Sequence, residues 1–159
     1  MIAQRVLGTR WLVRAPIGLY RAGFGWLFGH RLLMLEHLGR VTNEPRFVVV
    51  EVVDRGTNRL LIASGFGRRA QWYRNLEANG VAFVSTGSAY RVPATVRLLD
   101  DAESRVALDD YARRHPLAYR VLGPVLTRLS DDPVPPMVEL TPPDGWRGED
   151  QSSRTSARS

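Results

Sequence analysis

The chain opens with apolar stretches interrupted by arginine, changes after Arg31 to short apolar runs separated by turn residues, and ends in a polar segment. The first thirty residues read as two helical pieces, with Pro16 at the first position of the second, where its missing N–H costs nothing. At about 100° per residue, Arg10, Arg14 and Arg21 fall on one stripe, and Leu12, Val13, Leu19, Tyr20, Phe24, Trp26, Leu27 and Phe28 on a broad opposite arc. Two readings of that arc stand: a helix packed on the domain's own sheet, or an interfacial helix lying in a lipid headgroup layer. Its longest uncharged stretch, Ala22 to Gly29, is far below the roughly 20 apolar residues of a membrane span, so residues 1–30 are expected to be retained and non-spanning.

Beyond Arg31 the apolar runs are strand-like. Leu32 to Leu38 predicts a first strand, Gly39 to Pro45 a loop, and the β-branched run from Arg46 to Val53 a second strand. Asp54 to Asn58 reads as a hairpin turn returning through Arg59 to Ala63, and Val81–Thr86 with Ala89–Leu99 as a hairpin about Gly87-Ser88. Met137 to Thr141 supplies the last strand. Helices are predicted over Gln71–Ala78, over Asp101–Arg114 with a start signal in Asp100 and Glu103, and over Leu117–Leu129 with a break at Gly123-Pro124. The order has too few long crossovers for a doubly wound parallel sheet. It predicts a mainly β domain with flanking helices (α+β), built as a small antiparallel barrel over residues 31–141, with residues 142–159 as a disordered tail.

Composition narrows the chemistry. In a chain of 159 residues with a net charge of +6, all 22 basic residues are arginine. That bias reflects either codon usage in a GC-rich genome or a surface suited to anionic ligands and headgroups. The arginines are scattered and no nucleic-acid motif accompanies them, so a nucleic-acid partner is not expected. Absence of cysteine excludes disulfides, thiolate metal sites and cysteine nucleophiles, and His30, His37 and His115 are spaced too widely for a zinc motif.

The richest segment is Ala63-Ser-Gly-Phe-Gly-Arg-Arg-Ala-Gln-Trp-Tyr-Arg-Asn-Leu76, where a strand enters a glycine–arginine loop that opens a helix. Such a loop can bind an anion through backbone N–H groups and an arginine fork. Trp72 and Tyr73 read equally as core packing, and Asn75 as a cap or a bridge between loops. The segment resembles the Ala-Ser-x-x-Gly…Trp-Tyr-x-Asn-Leu motif of the deazaflavin-dependent nitroreductase and quinone reductase family, and Leu33-Met-Leu-Glu-His-Leu-Gly-Arg40 with Pro45-Arg46 resembles that family's first strand and loop. The likeness runs from about Tyr20 to Leu129.

The resemblance implies a split β-barrel of the FMN-binding-barrel type and an oxidoreductase. It would transfer hydride from reduced coenzyme F420, an 8-hydroxy-5-deazaflavin, to a quinone, nitro compound such as a nitroaromatic, or activated alkene. Carried over by position, the coenzyme site comprises Arg40, Thr42 and Arg46 from the first loop, and Ser64, Gly65, Phe66, Gly67, Arg68 and Arg69 from the second, with Trp72 closing the pocket. Tyr111 and Tyr119 fall where relatives place aromatic residues over the substrate, as hydrogen-bond donors or a proton relay; helix packing is the other reading. The first loop departs from the family pattern: Val41, Thr42 and Asn43 replace a basic residue, Ser and Gly, and Phe47 replaces a small hydroxyl residue. These changes motivate FMN as an alternative coenzyme, and a non-catalytic deazaflavin-, flavin- or lipid-binding barrel as the alternative function. The expected location is the cytoplasm, with a peripheral contact at the anionic inner face of the membrane if the N-terminal arc meets lipid.

Overall fold

The computed structural model describes Arg21, residues 31–120, Pro124 and residues 131–143. The expected N-terminal helical pieces in residues 1–30, most of the Leu117–Leu129 helix and the tail beyond residue 143 lie outside the described residues.

Six strands form a closed barrel: β1 (Leu32–Leu38), β2 (Pro45–Arg55), β3 (Leu60–Ala63), β4 (Val81–Thr86), β5 (Ala89–Leu98) and β6 (Met137–Thr141). Around the barrel they run β1-β2-β3-β6-β5-β4, each pair antiparallel. Helix α1 (Gln71–Asn79) lies between β3 and β4 in the chain, and α2 (Asp101–Arg114) follows β5. Residues 116–120 are helical again after a break at His115. Pro116 therefore ends one helix and stands at the start of the next, where a missing N–H is tolerated.

Period-two alternation sorts the strand residues. Leu33 and Leu35 of β1, Leu60 and Ile62 of β3, and Val138 and Leu140 of β6 fill the interior with Val48, Val50 and Val52 of β2. Trp72, Tyr73 and Leu76 of α1 belong to the same cluster, so this short helix plugs the barrel. The outer face is apolar as well: Val53, Leu61, Leu99 and Met137 pack with Tyr111, Ala107 and Leu108 of α2 and with Ala118 and Tyr119 beyond it. Coverage on both faces explains why β3 reads as a continuous apolar run.

One pairing is incomplete. A bulge between Val52 and Asp54 interrupts β2, and β3 runs beside β2 only at Val52, Asp54 and Arg55. Between Pro45 and Glu51, β2 has β1 on one edge and, among the described residues, no strand on the other. This parted edge is the split in the barrel.

Candidate active site

The parted edge opens a cleft of about 640 Å³ whose walls are Phe47, Val48, Val49, Val50 and Glu51 on one side and Ala63, Gly65, Phe66, Ala70 and Trp72 on the other. The Val52 N–H bonds the Arg31 carbonyl across the β1 ladder. Alternation along an antiparallel strand then turns the backbone groups of Val50 and Val48 toward β1, and those of Glu51, Val49 and Phe47 toward the cleft. A flat heterocycle lying against that edge would meet donors and acceptors as well as apolar walls.

At one end, Arg46 and Gln71 are shared with a smaller pocket of about 190 Å³, lined also by Gly39, Arg40, Val41, Thr42 and Asn75. Its loop is tightly specified. The Asn43 N–H bonds the Gly39 carbonyl at 2.8 Å, and the Glu44 N–H reaches the Thr42 hydroxyl at 3.4 Å. Asn43 sits at φ 56°, a left-handed conformation that asparagine tolerates better than most residues with a side chain. Replacement of the family's glycine by Asn43 thus preserves the turn, and Thr42 preserves the hydroxyl. A side chain at Gly39 would meet Thr42 Oγ1 at 2.8 Å and Arg46 Nε at 2.9 Å, so the absence of a Cβ there lets Arg46 cross the loop.

Buried Asn75 ties this pocket together. Its Oδ1 accepts from the Arg40 backbone N–H at 3.1 Å and from Arg40 Nη1 at 2.9 Å, and Nη1 also donates to Gln71 Oε1 at 2.9 Å. Arginine has no acceptor, so the amide oxygen must face Arg40 and the amide nitrogen must face His37 Nδ1, 3.1 Å away. Arg40 is thus bonded to neutral oxygens, and Arg46 has no ion pair among the described residues. Neither is paired with a carboxylate among the described residues. Arg21 lies 5.1 Å above the Phe47 ring at the cleft wall.

The second loop is built differently from the expectation. Arg68 pairs with Asp101 and Asp132, its backbone N–H bonds Asp132 at 2.8 Å, and Arg69 pairs with Asp131. Neither arginine lines the cleft or the basic pocket, because carboxylates from α2 and the segment before β6 already satisfy them. Ser64, fully buried, donates from Oγ to the Gly67 carbonyl at 2.7 Å and accepts the Gly67 N–H at its own carbonyl. Gly67, at φ 70°, takes the left-handed conformation that closes this turn. Ser64 and Gly67 shape the loop, while Gly65, Phe66 and Trp72 face the cleft.

Glu51 joins the cleft to a further cavity of about 480 Å³ lined by Arg31, Val52, Tyr111, Arg114, His115, Pro116, Leu117 and Ala118. The Tyr111 hydroxyl donates to Glu51 Oε1 at 3.3 Å, and burial beside that carboxylate pushes the phenol pKa up. Tyr119 packs into the outer apolar cluster and does not line this cavity. Sequence reasoning had no role for Glu51 or Gln71 and dismissed His37 as a metal ligand without giving it another. The period-two alternation that places His37 on the same face as Leu33 and Leu35 was the available signal for that residue.

Fold and site together define a split-barrel protein whose apolar cleft opens into a pocket carrying two arginines. The family described as F420H(2)-dependent quinone reductase matches residues 14–123, and the chain belongs to that family. It is an F420-dependent reductase. Among solved structures the fold is shared with one described as a domain-swapped dimer (16% identity, TM-score 0.56, 84% of this chain and 98% of that one). It is shared also with an F420-H2 dependent reductase, FDR-A (16%, 0.52, 69% and 93%), and with Atu2129 of Agrobacterium tumefaciens, of unknown function (16%, 0.54, 81% and 55%). No curated protein matches the chain.

Proposed function

We propose that the enzyme transfers hydride from reduced coenzyme F420 to a quinone, with nitro compounds and activated alkenes as further acceptors. The observation that carries this reading is the continuity of an apolar cleft with a pocket holding two arginines that lack carboxylate partners among the described residues. In the proposal, Phe47, Phe66 and Trp72 enclose the ring, the free edge of β2 aligns it, and Arg40, Thr42 and Arg46 hold the phosphate and acidic tail. When bound, the coenzyme supplies the hydride; the protein positions it against the acceptor and excludes water.

Quinone reduction consumes a proton with each hydride. Tyr111 stands where the two cavities meet at Glu51, and we assign its hydroxyl as the donor to the acceptor's oxygen, its single O–H turning from Glu51 to the acceptor when the acceptor binds. Leu117, 75% exposed on the rim of the second cavity, favours an apolar acceptor such as a membrane-dissolved quinone. A peripheral membrane contact is part of the proposal, checked by flotation with anionic vesicles.

The test is titration with oxidised and reduced coenzyme F420 and with FMN, followed by menadione turnover. Selective F420 binding with acceptor-dependent oxidation is expected; preference for FMN would overturn the coenzyme assignment. Tyr111→Phe is expected to lower kcat about 10-fold or more with coenzyme affinity unchanged. Unaltered turnover in a folded variant would remove the proton role.

A further inference from the structure

His37 is set apart by three features of its surroundings. It is 5% exposed, it lines the cleft wall at the mouth of the basic pocket, and it stands opposite Arg46 in the β1–β2 register. Directly opposed residues of an antiparallel pair project from the same face with Cβ atoms about 5 Å apart. The two side chains are therefore neighbours looking into one space.

The tautomer of His37 follows from Arg40. Because Arg40 occupies the oxygen of Asn75, the Asn75 amide nitrogen faces His37, and two donors cannot face each other. Nδ1 must accept, and the proton of the neutral ring sits on Nε2. The charged groups around the ring agree with neutrality: Arg46 across on β2 and Arg40 on the adjoining loop are both cationic, Asn75 and Gln71 of α1 are uncharged, and Glu51 lies toward the far end of the cleft. Burial and the charge of Arg46 lower the His37 pKa to about 4. The Nε2–H has no partner among the described residues, and a buried donor without a partner is costly enough that native structures rarely leave one unused.

Taking the coenzyme reading above as its basis, we propose that His37 is a binding residue for the coenzyme, its Nε2–H and the Arg46 guanidinium together taking one phosphoryl group where the apolar cleft passes into the basic pocket. An oxyanion there satisfies both at once. A neutral ring carbonyl would bond His37 but leave Arg46 uncompensated. His37 then reads the phosphoryl by geometry, as a fixed neutral donor, while Arg46 supplies the charge.

The experiment compares wild type, His37→Phe and His37→Gln in binding oxidised coenzyme F420 and the 8-hydroxy-5-deazariboflavin fragment, which lacks the phosphate and acidic tail. Phe should weaken the full coenzyme about 10- to 100-fold, leave the fragment within about 3-fold, and be largely rescued by Gln, which restores a donor. Equal binding of the full coenzyme by wild type and His37→Phe would overturn the proposal while leaving the coenzyme reading intact, and equal loss of coenzyme and fragment would reduce His37 to a shaper of the cleft. Wild type that binds neither compound would refute the coenzyme reading itself. Should the Phe variant not fold, imidazole ¹⁵N spectra of wild type decide: the coenzyme must move the Nε2 resonance and leave Nδ1 in place, and a static Nε2 signal overturns the assignment.

Discussion

Asn75 has one amide oxygen and one amide nitrogen, and the fold commits both: the oxygen to Arg40, the nitrogen to His37. A testable consequence is a pH-dependent stability. The His37 pKa is lowered from 6.5 to about 4 in the folded chain, so between those values the unfolded chain binds the proton more readily. The stability gained by burying a neutral ring is complete above pH 6.5 and drains away as pH falls toward 4. Chemical denaturation from pH 7.5 to 4.5 should show a loss on the order of 2 kcal/mol that His37→Gln removes. The arginines divide just as sharply. Arg46→Ala should weaken coenzyme about 10-fold or more and leave the melting temperature nearly unchanged, since no ion pair among the described residues is lost. Arg68→Ala should do the reverse, costing about 0.5–1 kcal/mol through the loss of half-exposed Asp101 and the more buried Asp132 as partners, and sparing the coenzyme; a matched loss of affinity in both variants would contradict this division. None of it was readable from composition, because Arg68 and Asp132 are brought together by folding over a separation of 64 residues.

At the scale of elements the sequence was far more legible. Strands Leu32–Leu38 and Met137–Thr141 and helix Asp101–Arg114 occur with the bounds expected of them, because each boundary is written in local chemistry. For α2 that chemistry is a complete capping box: Asp100 accepts the Glu103 N–H at 2.8 Å, and Glu103 accepts the Asp100 N–H at 3.1 Å. Arg97 holds the Glu103 carboxylate at 2.8 Å and helps keep its pKa below the ordinary value, so the cap stays ionised. Asp100→Ala should therefore destabilise the protein by about 1 kcal/mol in denaturant titration, and Asp100→Asn by much less. Strand β2 shows where local reading fails. The β-branched run predicted its middle, but the bulge at Val52/Asp54 that extends it to Arg55 and parts it from β3 depends on partners elsewhere in the chain. Tyr111 and Tyr119 illustrate the same limit. The family resemblance nominated both, and only the packing of residues 116–120 against the outer apolar cluster separates Tyr111, which lines the cavity, from Tyr119, which does not.

Across the whole molecule, charge is spread unevenly for a reason visible in the pairings. Arg59 and Arg97 share Glu139, Arg91 takes Glu36, Arg114 takes Asp54 and Asp110, and the second loop is held by Asp101, Asp131 and Asp132. These pairs brace the barrel's flanks and cancel locally. At the parted edge, Arg40 and Arg46 face a concave, largely apolar surface without such cancellation among the described residues. A groove of that kind concentrates field lines, so an anionic coenzyme should be drawn in before it touches the wall. In stopped-flow mixing the association rate should fall steeply as salt rises from about 20 to 300 mM while the dissociation rate changes little, and Arg46→Ala should flatten the first dependence. On the proposed function, parting β2 from β3 does more than make room for a ring: it leaves the molecule with a directional electrostatic landscape, so that capture of the coenzyme should be governed by how the scaffold's own charges have been spent elsewhere.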